Sequence, residues 1–146
     1  MQDKNTLYEN AVELLKKLIA TPSFSKEEAG TFAILCDFFT QNNIEFKTKG
    51  FNIWAFNQYF DAQKPTLLLN SHHDTVKPNK SYTRDPFSPD IVDEKLFGLG
   101  SNDAGGCLVS LIGTFLYYYE QENLKYNICL AATAEEEISG NNGLEL

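Results

Sequence analysis

The sequence predicts an α/β fold, an α/β/α sandwich built on a central mixed sheet. Three observations carry that prediction. Apolar residues recur at helical spacing in two early segments. Two short, continuously apolar runs, Thr66–Ser71 and Tyr126–Thr133, read as strands buried in a sheet. The order of elements along the chain, helix, helix, hairpin, strand, loop, helix, strand, also suits an α/β sandwich with a mixed sheet. With 42% apolar and 13% aromatic content in 146 residues, the chain can build one compact core.

Each element follows from its local pattern. Leu7, Ala11, Leu14, Leu15, Leu18 and Ile19 define an amphipathic helix over about 6–20, stopped by Thr21-Pro22. Ser25 and Glu28 have capping-box spacing and open a second helix that runs to about Gln41. Ile44–Lys49 and Asn52–Asn57 flank Gly50 as a hairpin. After the strand TLLLNS, residues 77–95 carry Pro78, Pro86, Pro89 and Asp90 and read as one long loop, a feature that usually serves function in a compact domain. Asp103-Ala104-Gly105-Gly106 leads into a helix through about Gln121, and Tyr126–Thr133 is the second core strand. A further helix is expected to begin near Leu146.

Composition removes several function classes. No run approaches the ~20 apolar residues of a membrane span, and the first residues lack the sectors of a signal peptide. A net charge of −8 repels nucleic acid and anionic membranes. Cys36, Cys107 and Cys129 are odd in number and sit in apolar runs, which predicts buried thiols in a reducing cytoplasm and no cysteine zinc site.

Three exits from the predicted sheet region hold the groups that bind metals: His72-His73-Asp74, Asp103, and Glu135-Glu136-Glu137. One histidine with several carboxylates suits a borderline divalent ion, Zn²⁺ first. Strand alternation sends His72 and Asp74 to one side and His73 to the other. Asp74 can then orient His72 as ligand, although alone this stretch reads as a polar strand end capped by Asp74. His73 has no partner by spacing and reads as a packing or rim residue. Gly98-x-Gly100 partly matches a dinucleotide fingerprint, but Asp103 stands where the third glycine belongs and would repel a pyrophosphate. A simple turn with Asp103 as helix N-cap is the plainer alternative. The three glutamates could be a solvated cluster. Equally, a hydrolytic metal site needs one carboxylate ligand and one free base, and neighbours at a sharp turn supply both.

Taken together, Ser71-His72-His73-Asp74, Gly98-Leu99-Gly100-Ser101-Asn102-Asp103 with Gly105-Gly106, and Thr133-Ala134-Glu135-Glu136-Glu137 resemble the motifs of the co-catalytic dinuclear zinc amidohydrolases. That family, clan MH metallopeptidase-like, includes acetylornithine deacetylase, succinyl-diaminopimelate desuccinylase, aminoacylase and glutamate carboxypeptidase. "TPSFS", "NIWA" and "TRDPFSP" add to the likeness.

The resemblance implies His72 on one zinc, Asp103 bridging two, and Glu137 on the other, with Co²⁺ as a substitute. It implies Asp74 as the orienting partner of His72 in the catalytic machinery, Glu136 as general base for a water that attacks an amide, and a cis Asp103–Ala104 peptide. Glu135 receives no role. It further implies that residues 1–146 are the N-terminal part of the catalytic domain. The remaining zinc ligands and a lid domain that mediates homodimerisation would lie elsewhere, so this stretch alone would bind metal weakly and turn over negligibly. "GSNDAGG" most resembles acetylornithine deacetylase-like members, which implies hydrolysis of an N-acyl amino acid in cytoplasmic arginine biosynthesis. A desuccinylase, an aminoacylase or a di/tripeptidase is the alternative activity, and an inactive or partner-binding remnant is the non-enzyme alternative.

Overall fold

The computed structural model describes residues 3–144. Helix α1 (Lys4–Ile19) begins at Asp3, whose carboxylate accepts the N–H groups of Asn5 and Thr6. Its inward face carries Leu7, Leu14, Leu15, Leu18 and Ile19, all buried, and Lys16 and Lys17 sit in the last turn, where cations suit the helix dipole. Helix α2 (Ala29–Gln41) buries Thr31, Leu35 and Phe39. Helix α3 (Gly106–Tyr118) buries Leu108, Val109, Ile112, Phe115 and Leu116.

The main sheet has the order β1-β2-β6-β3, from β1 (Lys47–Lys49), β2 (Asn52–Phe56), β3 (Thr66–His72) and β6 (Asn127–Thr133). β6 pairs parallel with β3 and antiparallel with β2, so the sheet is mixed, as the sequence predicts. Every residue of β6 is buried. Its alternation splits them: Ile128, Leu130 and Ala132 join Ile53, Ala55 and side chains of all three helices in one core. Cys129, Ala131 and Thr133 turn to the other face, where with Trp54 they line a cavity of about 360 Å³.

Several local expectations change. β3 is not buried through its length: it has a strand neighbour only on the β6 side among the described residues, and Leu67 and Leu68 are about half exposed. The first strand of the hairpin is shorter than expected, because Ile44 is buried in the core beside α2 and pairing begins only at Lys47. The long loop contains a small hairpin, β4 (Ile91–Val92) with β5 (Lys95–Leu96), turned by Asp93 and Glu94, both at positive φ. Of the cysteines only Cys129 is buried; Cys107 is exposed and Cys36 half-buried, since helical positions within an apolar run still reach solvent on one side. No described helix is long and apolar enough to cross a membrane.

Candidate metal centre

The parallel register sets His72 of β3 opposite Thr133 of β6, so both strands release their chains at the same end of the sheet. Ligands collect at such carboxyl ends. The segment between α1 and α2 is tied to this end: Phe24 bridges Thr75, and the Thr75 N–H donates to the Ser23 carbonyl at 2.8 Å.

His72 is the hub. Its Nδ1 lies 3.0 Å from the Asp74 backbone carbonyl and 3.3 Å from Asp74 Oδ1. Both neighbours only accept, so Nδ1 carries a hydrogen and the ring orientation is fixed. Nε2 faces Asp103 Oδ1 at 3.2 Å and Glu136 Oε2 at 3.5 Å. Burial works against charge on this ring, but the Asp74 hydrogen bond and charge, with Glu136 behind them, outweigh it and raise the pKa to about 9.

Asp74 is fully buried. Its carboxylate accepts the Ser25 hydroxyl at 2.7 Å, the Glu136 N–H at 3.0 Å and the Glu137 N–H at 3.1 Å, besides the His72 contact. Burial alone would raise its pKa, yet these donors together lower it to about 2. The orienting role expected of Asp74 is therefore joined by a second: it organises the turn that carries the glutamates.

Asp103 reaches the site from a tight π-type turn, Ser101–Gly105, in which Asp103 and Ala104 leave helical geometry. The Asp103–Ala104 peptide is cis. Asp103 caps no helix; its side chain is 76% exposed and turned to the His72 ring. Gly100 enters this turn at φ +74°, where a side chain would be strained and a Cβ would stand 2.8 Å from the Thr75 methyl.

The glutamate run divides three ways. Glu135 is buried at φ +54°. Its N–H donates to Glu28 Oε1 at 3.0 Å, its carbonyl accepts from Gly140, and its carboxylate accepts the Asn142 amide at 2.9 Å. Glu136 is 60% exposed beside His72. Glu137 is half-buried, and burial followed by the negative charge of Asp103 raises its pKa. Donor atoms of His72, Asp103 and Glu137 all lie within 4.8 Å of one another.

Among the described residues, His72 is the only ion-pair partner of Asp103 and Glu136. Carboxylates gathered around one imidazole nitrogen, with no lysine or arginine paired to them among the described residues, suit a divalent cation. Nitrogen plus oxygen donors fit zinc or a similar borderline ion.

All five residues expected at the site, His72, Asp74, Asp103, Glu136 and Glu137, are thus brought together. Two neighbours were misread. Ser25 and Glu28 form no capping box: α2 starts one residue after Glu28 and neither side chain caps it. Their hydrogen bonds go to Asp74 and the Glu135 amide instead. Spacing revealed that the pair was special but not which groups it served. His73, on the opposite side of β3, is a packing residue. Its Nε2–H donates to the Phe51 carbonyl at 2.9 Å and its Nδ1 accepts from the Thr31 hydroxyl at 2.9 Å, and burial lowers its pKa.

A mixed α/β sheet whose strand ends bring one imidazole and several carboxylates together offers a candidate metal site. The sequence profile of Peptidase family M20/M25/M40 matches residues 68–146, and the chain belongs to that family. The fold is similar to that of an M20 family metallo-carboxypeptidase from Sulfolobus solfataricus, with 27% identity and a TM-score of 0.69 over 94% of this chain and 32% of that one. A dinuclear metal binding peptidase of the M20 family from Bacillus subtilis shares the fold at 19% identity, with a TM-score of 0.68 over 95% of this chain and 38% of that one. Human carnosine dipeptidase 1 does so at 18% identity, with a TM-score of 0.68 over 95% of this chain and 35% of its own. The chain spans about a third of the length of these structures.

Proposed function

We propose that this chain is the N-terminal part of the catalytic domain of a metal-dependent hydrolase that cleaves linear amide bonds in small molecules. The observation that supports it most is the convergence of His72, Asp103 and Glu137 with Glu136 beside them and Asp74 behind the imidazole. His72 and Glu137 would each hold one zinc ion, with Asp103 shared between them, and further ligands would come from outside this stretch. Bound zinc supplies Lewis acidity for a water and for the scissile carbonyl.

The chain's own groups do the rest. Asp74 keeps the Nδ1 proton of His72 in place, so Nε2 is the nitrogen that would give up its proton to a metal. Glu136 sits 3.5 Å from that nitrogen, with its carboxylate in solvent. It accepts the proton of the attacking water and passes it to the departing amine.

Within this class the first substrate reading is N-acetylornithine, resting on the likeness of Gly100–Gly106 to deacetylase-like sequences. The second is a di- or tripeptide, favoured by the activities named for similar structures, a metallo-carboxypeptidase and a carnosine dipeptidase among them. The deciding experiment loads the full-length protein with zinc and assays N-acetylornithine, N-succinyl and other N-acyl amino acids, and dipeptides side by side. Hydrolysis that is lost on chelation and restored by zinc supports the class. A full-length protein that neither binds a divalent metal nor cleaves any of these amides refutes it.

A further inference from the structure

We propose that Glu28 is a positioning residue for the metal centre: its buried carboxylate fixes the Glu135–Glu137 turn from behind and thereby sets where Glu136 and Glu137 stand. This rests on the metal reading above for its functional meaning, and on geometry alone for its mechanism.

Three successive backbone amides of the turn are each bound by a buried carboxylate oxygen. The Glu135 N–H goes to Glu28 Oε1 at 3.0 Å, the Glu136 N–H to Asp74 Oδ1 at 3.0 Å, and the Glu137 N–H to Asp74 Oδ2 at 3.1 Å. Ladder pairing between β3 and β6 ends at the His72–Thr133 pair, so these amides need other acceptors. Glu135 lies in the left-handed region at φ +54°, a conformation that a side-chain-bearing residue keeps only when its surroundings hold it. Glu28 is the anchor on that residue's N–H.

The cost of Glu28 points the same way. It is 0% exposed, and its Oε2 makes no hydrogen bond among the described residues. A core built for stability alone would place an apolar side chain there, because a buried carboxylate with one bond is expensive. Helix α2 is pinned next to it. The Thr31 hydroxyl, in the first turn, lies 3.1 Å from the Glu28 carbonyl and 2.9 Å from His73 Nδ1, and His73 is itself tied to Phe51. His73 on one side of β3 thus steadies the helix start whose carboxylate shapes the site built around His72 on the other.

Two conservative variants separate this role from charge and from bulk. Glu28→Gln keeps a carbonyl oxygen at the same reach. Glu28→Asp keeps the charge but draws the acceptor back by about 1.5 Å. Amide hydrogen exchange at Glu135 and Glu136 is read in the metal-free protein, and Co²⁺ binding is read by visible absorption in the full-length protein, which carries the remaining ligands. In Glu28→Gln both should stay within about threefold of wild type. In Glu28→Asp the two amides should exchange at least about tenfold faster, and Co²⁺ binding should weaken about tenfold with an altered spectrum.

Wild-type behaviour in Glu28→Asp overturns the proposal, as does damage in Glu28→Gln equal to that in Glu28→Asp. Should Glu28→Asp fail to fold, Glu28→Gln decides alone: retained protection at Glu135 supports the anchor and lost protection overturns it. A full-length wild-type protein that binds no Co²⁺ counts against the metal reading only, and the exchange comparison still decides on Glu28.

Discussion

Asp74→Asn separates the support of this site from its ligands. The wild-type carboxylate takes the Ser25 hydroxyl, the Glu136 and Glu137 N–H groups and the His72 ring at 2.7 to 3.3 Å, with no exposure to water. An asparagine offers one oxygen, so its NH₂ group must face at least one of these donors. A buried donor left without its acceptor costs about 1–3 kcal/mol, and a bond to a charged acceptor contributes about 1.5–3 kcal/mol. The fall of the Asp74 pKa from 3.8 to about 2 gives a similar figure, about 2 kcal/mol. Asp74→Asn should therefore lose about 2–4 kcal/mol of metal-free stability at pH 7, measured by urea unfolding.

The pH dependence provides a second check. Asp74 has a lowered pKa, so its contribution is present above about 4 and disappears as pH falls through about 2. His72 has a raised pKa, so its contribution is complete below about 6.5 and disappears as pH rises through about 9. The two describe one interaction from either side and are not summed. Wild-type stability should decline between about pH 6.5 and 9 by at most about 3 kcal/mol, and Asp74→Asn should flatten that decline. A variant within about 0.5 kcal/mol of wild type at pH 7, or one with an unchanged alkaline slope, would refute the reasoning.

Asp103→Asn should behave in the opposite manner: the side chain is 76% exposed, so metal-free stability should move by less than about 0.5 kcal/mol while zinc affinity drops at least about tenfold in a chelator competition. Gly100→Ala forces a side chain into φ +74° against the Thr75 methyl and should cost about 1–3 kcal/mol in thermal unfolding. Glu136→Gln in the full-length protein should keep its zinc by metal analysis and lose turnover by about 10²–10⁴-fold; full activity would remove Glu136 from the role of base.

The candidate site was legible because its chemistry is local. The two-residue period of a strand separates His72 from His73, and the structure follows it: His72 turns to Asp103 and Glu136, His73 to Thr31 and Phe51. The two core strands were legible for a similar reason, since continuous apolar runs mark central strands, and β6 is one. β3 has the same composition yet leaves Leu67 and Leu68 half exposed, because hydrophobicity reports a preference for burial and not whether a neighbour is present. The Ser25–Glu28 spacing went wrong for a comparable reason. A capping box is judged from four residues, but Asp74 and the Glu135 amide, 49 and 107 residues away along the chain, compete for the same side chains. Local pattern cannot weigh a partner that only the fold supplies.

That competition also explains how three negative charges can follow a fully buried strand. Once β6 stops pairing at Thr133, the next polar groups that need partners are backbone donors, and carboxylates are the strongest acceptors available to them. Glu28 and Asp74 supply those acceptors from beneath the turn. Glu135 turns inward onto Asn142, while Glu136 and Glu137 stay at the rim near Nε2 of His72. Asp74 serves the turn and the imidazole with the same carboxylate, so the glutamates and the histidine cannot be displaced independently. A cation at the rim would then draw on charges that the buried hydrogen bonds have already placed, which makes the turn and the metal centre one physical unit.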